Sequence, residues 1–483
     1  MLDAIVVGSG PNGLAAAIAL AREGYSVRVY EAQPTVGGAV RSAELTRPGF
    51  VHDTASTVHA LALLSPFLKS LPLDQFGLRF AHPDAPFAHP LDDGTAVVVE
   101  RSIDATASTL GSHDGRAYAK LVTPFVEDCG TLMDALLGPF SVRHPVVMAT
   151  FGRHAIRSAE GLAKGLFETE RARAMFAGVA AHSMVPLDKL ATSGYALGLI
   201  IAAHAVGWPV SRGGAQQLAN ALVAYLQSLG GEVITDTPVE SLAALPPSRV
   251  VLLDVTPRQL VRIGGDRLSR FYRWRLARYR YGPGVFKIDW ALNAPVPWRA
   301  PECRRAGTLH LGGSLAEIAA SERASWEGRD FERPYMLVTQ ASLFDPTRAP
   351  PGTHTLWAYC HVPHDSAVDM RERIERQIER YAPGFRDCID EAHVMSPAAL
   401  ERSNANLVGG DIAGGAADLA QLYTRPIASL NPYRTSIGNV FLCSSSTPPG
   451  VGVHGMSGYH AARVAMRAIR GEHLRRQDVR SAP

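Results

Sequence analysis

Ala4-Ile5-Val6-Val7-Gly8-Ser9-Gly10-Pro11-Asn12-Gly13-Leu14-Ala15-Ala16-Ala17-Ile18-Ala19-Leu20-Ala21-Arg22-Glu23-Gly24-Tyr25-Ser26-Val27-Arg28-Val29-Tyr30-Glu31 decides the fold. A short apolar run predicts a strand over 4–7. Gly8, Gly10 and Gly13 form a glycine turn, and residues 14–22 follow with helical spacing. Gly24 ends that helix, and 26–30 read as a second strand closed by an acid. Leu14, Ala17, Ile18 and Ala21 share one helical face, as packing on a sheet requires. The spacing is that of a dinucleotide-binding βαβ unit. Gly8 permits the tight turn. Gly10 lets a diphosphate approach the backbone, and Gly13 lets the helix pack close to the strands. Pro11 and Asn12 open the helix, whose free N–H groups and partial positive charge face the phosphates. Glu31 sits where a carboxylate accepts hydrogen bonds from ribose hydroxyls.

Working outward, Gly37-Gly38-Ala39-Val40-Arg41-Ser42 adds a glycine pair and an arginine just beyond the acid. Adjacent glycines let the main chain pass close to a ligand, and Arg41 supplies a cation beside phosphate or ribose. A plain nicotinamide-binding domain does not need this extension. At the other end, Gly450-Val451-Gly452-Val453-His454-Gly455 also spells GxGxxG. Its glycines lie well past the apolar run 440–442, and no second βαβ unit follows. One dinucleotide is therefore expected, with no dedicated NAD(P) domain.

The chain has 483 residues, enough for several domain-sized units with a substantial core. A formal net charge of +3 provides no broad field for nucleic acid. Cys129, Cys303, Cys360, Cys388 and Cys443 are odd in number and form no CxxC, which fits a reducing compartment and no dithiol centre. Residues 2–7 are needed as a strand, so a cleavable signal peptide is not expected. No apolar run reaches the ~18 residues of a membrane span. The longest candidate, 196–208, contains Gly198, His204 and Gly207, and reads as a buried or groove-lining helix. Arginines 262, 267, 270, 273, 275, 278 and 280 interleave with Phe271, Tyr272, Trp274, Tyr279 and Tyr281. Ordinary helices with snorkelling arginines explain this mixture, and a lipid-facing patch is the alternative. The expected location is the cytoplasm, with peripheral contact at the inner membrane face left open.

The glycine turn, the acid and GGxxRS together resemble the flavin amine oxidase and phytoene desaturase superfamily. So does Asn439-Val440-Phe441-Leu442-Cys443-Ser444-Ser445-Ser446-Thr447-Pro448-Pro449-Gly450, continuing to Met456 and Tyr459. Trp208-Pro209, Arg212-Gly213-Gly214, Val285-Phe286-Lys287-Ile288-Asp289-Trp290 and Gly409-Gly410-Asp411-Ile412 add to the likeness. Within the superfamily the chain is most similar to the phytoene desaturase-like subgroup. That subgroup includes carotenoid ketolase/desaturase relatives and the pyridine nucleotide-disulfide oxidoreductase domain-containing protein 2 type.

The resemblance implies an α/β fold: a Rossmann-like FAD-binding domain interleaved with a mixed α+β substrate domain. The FAD-binding part is expected over 1–65, 205–260 and 420–483, and the substrate part over 66–204 and 261–419. It implies FAD held noncovalently by Gly8, Gly10, Pro11, Asn12, Gly13, Glu31, Gly37, Gly38 and Arg41. The backbone near Val239 would meet adenine. Ser445, Gly455 and Met456 would lie at the flavin, with a helix beginning near 455–458 stabilising the reduced, anionic ring.

Candidate catalytic residues are Lys287, His59, His454 and Tyr459. Superfamily amine oxidases place a lysine, through water, near flavin N5. An ion pair with a carboxylate at the strand edge is the alternative for Lys287. His59, His454 and Tyr459 flank the expected flavin loops. A structural, hydrogen-bonded histidine is the competing explanation for both imidazoles. His354, Cys360, His361 and His364 are the one metal-like group. On a strand Cys360 and His361 point to opposite faces, so no metal is expected. There is no GxSxG elbow for a serine hydrolase.

The expected reaction is hydride removal from an apolar, isoprenoid- or carotenoid-like small molecule to flavin N5, forming a double bond. Oxygen or a quinone would reoxidise the flavin. A flavin amine oxidase and a non-enzymatic escort-type binding protein of the same architecture are the alternatives. Intact phosphate glycines, Glu31 and Arg41 weigh against the escort reading.

Overall fold

The computed structural model describes residues 1–138 and 144–480, with side chains through residue 471. Two sheets organise it. A five-stranded parallel sheet runs in the order Val440–Leu442, Ser248–Leu253, β1 (Leu2–Val7), β2 (Val27–Tyr30) and Glu232–Ile234. Its strands come from three separated stretches of the chain. A seven-stranded sheet runs Ile389–Met395, Gly284–Leu292, His354–Val362, Met336–Thr339, Ala306–Leu311, Ala85–Pro90 and Ala96–Val99. It is antiparallel except where Ala306–Leu311 pairs in parallel with Ala85–Pro90.

Between β1 and β2 lies α1 (Pro11–Ala21), buried from Asn12 to Ala21. Its alanines suit that position. A helix covered on every side needs small residues where backbones approach, and has no polar face to offer. Gly458, in the C-terminal helix Met456–Arg480, packs so tightly on α1 that an added Cβ would stand 1.8 Å from the Asn12 carbonyl oxygen. The helix Thr192–Val206 is likewise buried at Leu197, Ile200, Ile201 and Ala202, which accounts for its apolarity without a bilayer. No described helix is long and apolar enough to cross a membrane.

Three local details position the neighbouring segments. The run 49–53 contributes only the short strand His52–Asp53, paired with Ser42–Ala43. Val239 lies beyond the end of Glu232–Ile234 rather than in a strand of its own. The helices Pro257–Gly264 and Arg270–Leu276 press Leu260, Ile263, Tyr272 and Leu276 against Ile5, Val7, Leu253 and Leu442. Residues 257–276 thus pack on the parallel sheet. The exposed apolar underside of the parallel sheet needs that cover.

Within the arginine-rich segment the inward side chains are Tyr272 and Leu276, while Phe271 and Trp274 stay exposed. Arg278 stacks 3.5 Å from the centroid of Trp274. Cys360 faces the core on one side of the seven-stranded sheet, and His361 pairs with Glu322 on the other.

Candidate functional site

At the C-terminal ends of β1 and β2 the glycine turn forms a cradle. Gly38, at φ 55°, passes directly above the first turn: a Cβ there would stand 3.0 Å from Gly10 Cα. A side chain at Gly38 would close the approach between the two loops and one at Gly10 would meet the Asp254 carboxyl, so space requires glycine at both, and the backbone angle requires it at Gly38 as well. Pro11 occupies the first turn of α1, where no N–H is needed.

Glu31 is buried at the end of β2. Its Oε2 accepts from the Ser9 N–H (2.9 Å) and Ser9 Oγ (2.5 Å), and its Oε1 accepts from the Gln33 N–H (2.9 Å). It thus holds the turn while keeping lone pairs on Oε1 for a hydroxyl. The Thr237 N–H donates to the Glu31 carbonyl (2.8 Å), which draws the stretch leading to Val239 alongside the acid. Arg41 reaches across, donating from Nε to the Gly38 carbonyl (3.0 Å) and from Nη2 to the Ser403 carbonyl (2.6 Å). Burial lowers its pKa, opposed by the charge of Glu31.

At the far end of the cradle the loop 443–455 leads into the C-terminal helix. His454 Nδ1 accepts from the Met456 N–H (3.0 Å), capping that helix, and Ser65 Oγ donates to the His454 carbonyl (2.6 Å). Gly455 approaches Ala15 of α1, and Gly452 approaches Leu61. The 57–65 segment, the C-terminal loop and the start of α1 therefore meet in one neighbourhood. Ser445 is fixed by Arg425, which donates from Nη1 to the Ser445 carbonyl (2.9 Å).

His59 Nδ1 shares a hydrogen bond with Ser211 Oγ (2.9 Å). Burial pushes the pKa of His59 and of His454 down to about 4, so both imidazoles are neutral at pH 7. Asn12 Oδ1, Thr57 Oγ1, His59 Nε2 and His454 Nε2 are all buried without a hydrogen-bond partner among the described residues. Buried polar atoms left open in this way suit a polar ligand. A buried polar atom left alone costs about 1–3 kcal/mol.

Lys287 lies inside the seven-stranded sheet on Gly284–Leu292. Two residues on, and so on the same face, Asp289 pairs with its Nζ. Both are buried. Asp289 is pushed up to about 6 by burial, against the pull of Lys287, and burial lowers Lys287 in turn. The ion pair foreseen as the alternative is present, but in an interior strand rather than at a sheet edge. The neighbouring strand places Trp357 opposite Asp289 and Tyr359 opposite Lys287. Those two rings meet edge-on, 5.0 Å between centroids. The Lys287 Nζ stands 5.8 Å from the Trp357 centroid.

Next to this pair, His52 Nδ1 is 3.6 Å from Asp289. Asp53 and Asp345 each hold Arg348 at 3.0 Å, all three within 1% of full burial. Asp53 also accepts from Ser42 Oγ (2.7 Å) and the Ala215 N–H (2.8 Å).

Tyr459 stands apart from these groups. It stacks on Phe67 (4.7 Å, 23°) and lines a surface groove of about 820 Å³ with Arg463 and with Ala19 and Arg22 at the far end of α1. It therefore lies by the C-terminal end of α1, away from the glycine turn.

Asp254, Asn406, Asp53 and Arg348 escaped the sequence reading. Asp254 closes the strand Ser248–Leu253 and accepts from the Gly13 N–H (2.8 Å). Asn406 Nδ2 donates to the Asp254 carbonyl (2.9 Å), and its Oδ1 accepts from the Thr256 N–H (3.0 Å). A polar residue directly after an apolar run, beside β1, is the available signal for Asp254. Nothing local marks the others. Among the described residues no group of three or more His, Cys, Asp or Glu is placed to hold a metal ion.

Comparison with known proteins agrees with this geometry. The family model for NAD(P)-binding Rossmann-like domains matches residues 6–70. The chain is 27% identical to mouse pyridine nucleotide-disulfide oxidoreductase domain-containing protein 2, over 97% of this chain and 94% of that protein. It is 25% identical to the neurosporene-forming phytoene desaturase of Rhodobacter capsulatus, over 94% of this chain and 92% of that protein. Among solved structures, putrescine oxidase bound to putrescine shares the fold, with a TM-score of 0.63 at 17% identity, covering 97% of this chain and 99% of that one. By fold and by near full-length similarity, the chain is similar to the flavin amine oxidases and phytoene desaturases.

Proposed function

We propose that this oxidoreductase binds FAD and removes a hydride from a C–H bond of a largely apolar small molecule, leaving a double bond. The observation that carries the cofactor reading is the run of groups from the cradle to His454. Gly10 and Gly38 approach each other at the N-terminus of α1 with no room for side chains, and Asn12 Oδ1, Thr57 Oγ1, His59 Nε2 and His454 Nε2 are buried without a partner among the described residues. Bound FAD would supply the hydride acceptor. Glu31 would take ribose hydroxyls, Arg41 would sit beside the phosphates, and the stretch at Val239 would border the adenine. Gly455, Met456 and Ser445 would border the ring. His454 has Nδ1 occupied as an acceptor, so its Nε2 carries the proton and donates. His59 and His454, neutral at pH 7, orient by hydrogen bonding rather than by carrying charge. Hydride abstraction from an activated C–H bond asks for orientation and exclusion of water more than for a strong base. An isoprenoid or carotenoid-like substrate follows from likeness to the desaturases, and oxygen or a quinone is the proposed acceptor.

One observation favours a second reading. The perpendicular Trp357–Tyr359 pair, on the strand beside Lys287 and Asp289, offers aromatic rings to a cationic substrate and so suits an amine oxidase. Anaerobic mixing of the flavin-loaded protein with terpenoids and with amines separates the two. Bleaching of the flavin by terpenoids alone supports the desaturase. Bleaching by amines alone overturns it. Protein that takes up no FAD overturns both.

A further inference from the structure

The carboxyl of Asp254 lies where a dinucleotide-binding turn is expected to be bare. Its Oδ2 accepts from the Gly13 N–H at 2.8 Å, the amide at the open end of α1. A Cβ built on Gly10, the residue left without a side chain for phosphate approach, would stand 2.7 Å from that same oxygen. Asp254 is fixed there by its backbone: its N–H donates to the Val7 carbonyl (2.8 Å) and its carbonyl accepts from Asn406. Turning the carboxyl away would leave the Gly13 N–H without this acceptor.

We propose, on the footing of the FAD reading above, that Asp254 couples cofactor binding to uptake of one proton, because its carboxyl must be neutral when a diphosphate shares the end of α1. The argument is electrostatic. The titratable groups around Asp254 are Glu31 from β2, Arg41 from the second glycine loop and Cys443 from the end of Val440–Leu442. Cys443 is buried, and burial raises its thiol pKa far above its ordinary value, so it brings no charge. Arg41 directs its donors at Gly38 and Ser403. The segment 403–406 and the first residues of α1 carry no ionisable side chain.

Two carboxylates and a diphosphate would therefore meet one arginine and about half a positive charge from the helix end. Neutralising Asp254 removes the repulsion and turns a competing acceptor into a donor toward phosphate oxygen. Burial and the neighbouring Glu31 carry the Asp254 pKa up to about 7, against the hydrogen bond from Gly13. The exchange thus falls in the neutral range. His59 and His454 titrate near 4 and do not contribute there.

The test is FAD binding to the full chain freed of flavin, followed by quenching of flavin fluorescence from about pH 7 to about pH 9. Wild type should weaken by about tenfold per pH unit above the neutral range, the limit for one proton. Asp254→Asn, neutral at every pH, should show no slope and should bind more tightly than wild type near pH 9. A flat wild-type profile, or the same slope in Asp254→Asn, overturns the proposal while leaving the cofactor reading intact. Calorimetry on wild type alone, in buffers of different ionisation enthalpy, gives a check that needs no variant. Close to one proton taken up per FAD near pH 8 supports the proposal, and none overturns it. Failure of either protein to bind FAD at any pH overturns the cofactor reading together with this inference.

Discussion

Removing the Arg348 guanidinium is the perturbation whose cost the structure defines best. Arg348 holds Asp53 and Asp345 at 3.0 Å each and donates to the Ser211 carbonyl at 3.1 Å, all out of contact with solvent. Arg348→Met keeps much of the volume and leaves two buried carboxylates without their cation. Breaking a buried pair in this way costs about 3–5 kcal/mol. A ceiling follows from Asp53 itself, which can take a proton instead of staying charged. Doing so at pH 7, from an unfolded pKa of ~3.9, costs about 4 kcal/mol at ~1.4 kcal/mol per pH unit. Both routes point to a loss near 4 kcal/mol.

The sign of the pH dependence is diagnostic. In wild type Arg348 holds the Asp53 pKa below its ordinary value despite burial, so that stabilisation is present at neutral pH and disappears as pH falls through the folded pKa. In the variant the folded pKa rises above the unfolded one, and stability falls as pH rises from ~4 toward it. The gap between the proteins should therefore widen by about 1.4 kcal/mol per unit between about pH 5 and about pH 7. Urea denaturation followed by tryptophan fluorescence at both pH values measures it. A gap below about 1 kcal/mol at pH 7, or one that does not change with pH, refutes the reasoning. Asp53 also positions Ser42 and the Ala215 N–H, so FAD affinity should fall in the variant as well.

Gly38→Ala meets Gly10 Cα at 3.0 Å and strains a left-handed residue by about 1–2 kcal/mol, so the purified variant should carry less than a tenth of the wild-type flavin content; full occupancy would remove Gly38 from the cradle. For Lys287→Met, the buried pair predicts that adding Asp289→Leu restores stability to within about 2 kcal/mol of wild type, with flavin reduction within about threefold. A loss of more than about a hundredfold in the stable double variant would return Lys287 to the mechanism. His59 and His454, with folded pKa values of about 4, should put no inflection in the flavin-reduction rate between about pH 5.5 and about pH 8. An inflection in that range that vanishes in His59→Asn would contradict this. The same depressed values predict that stability declines as pH falls from ~6.5 toward 4, because the unfolded chain accepts protons that the folded chain excludes.

Local spacing was sufficient for the nucleotide-binding opening. Strand, turn, helix and acid are contiguous, and each glycine answers a demand made within a few residues. The period of two along a strand likewise puts Lys287 and Asp289 on one face. The strand 440–442 and the helix starting at Met456 were legible for the same reason. What surrounds these elements was settled by chain crossings. Asp254 reaches Gly13 across 241 residues of sequence, and Arg348 reaches Asp53 across 295. No periodicity encodes such a meeting. It depends on which strand ends lie side by side in the finished sheets.

Tyr459 shows the converse. It sits five residues past His454, yet lines a groove with Ala19 and Arg22 at the far end of α1, because successive helical residues point about 100° apart. Sequence determined that this chain builds a dinucleotide cradle, since backbone conformation is a local property. Only the tertiary structure decided which charges face that cradle, since electrostatic partners are chosen by distance through space.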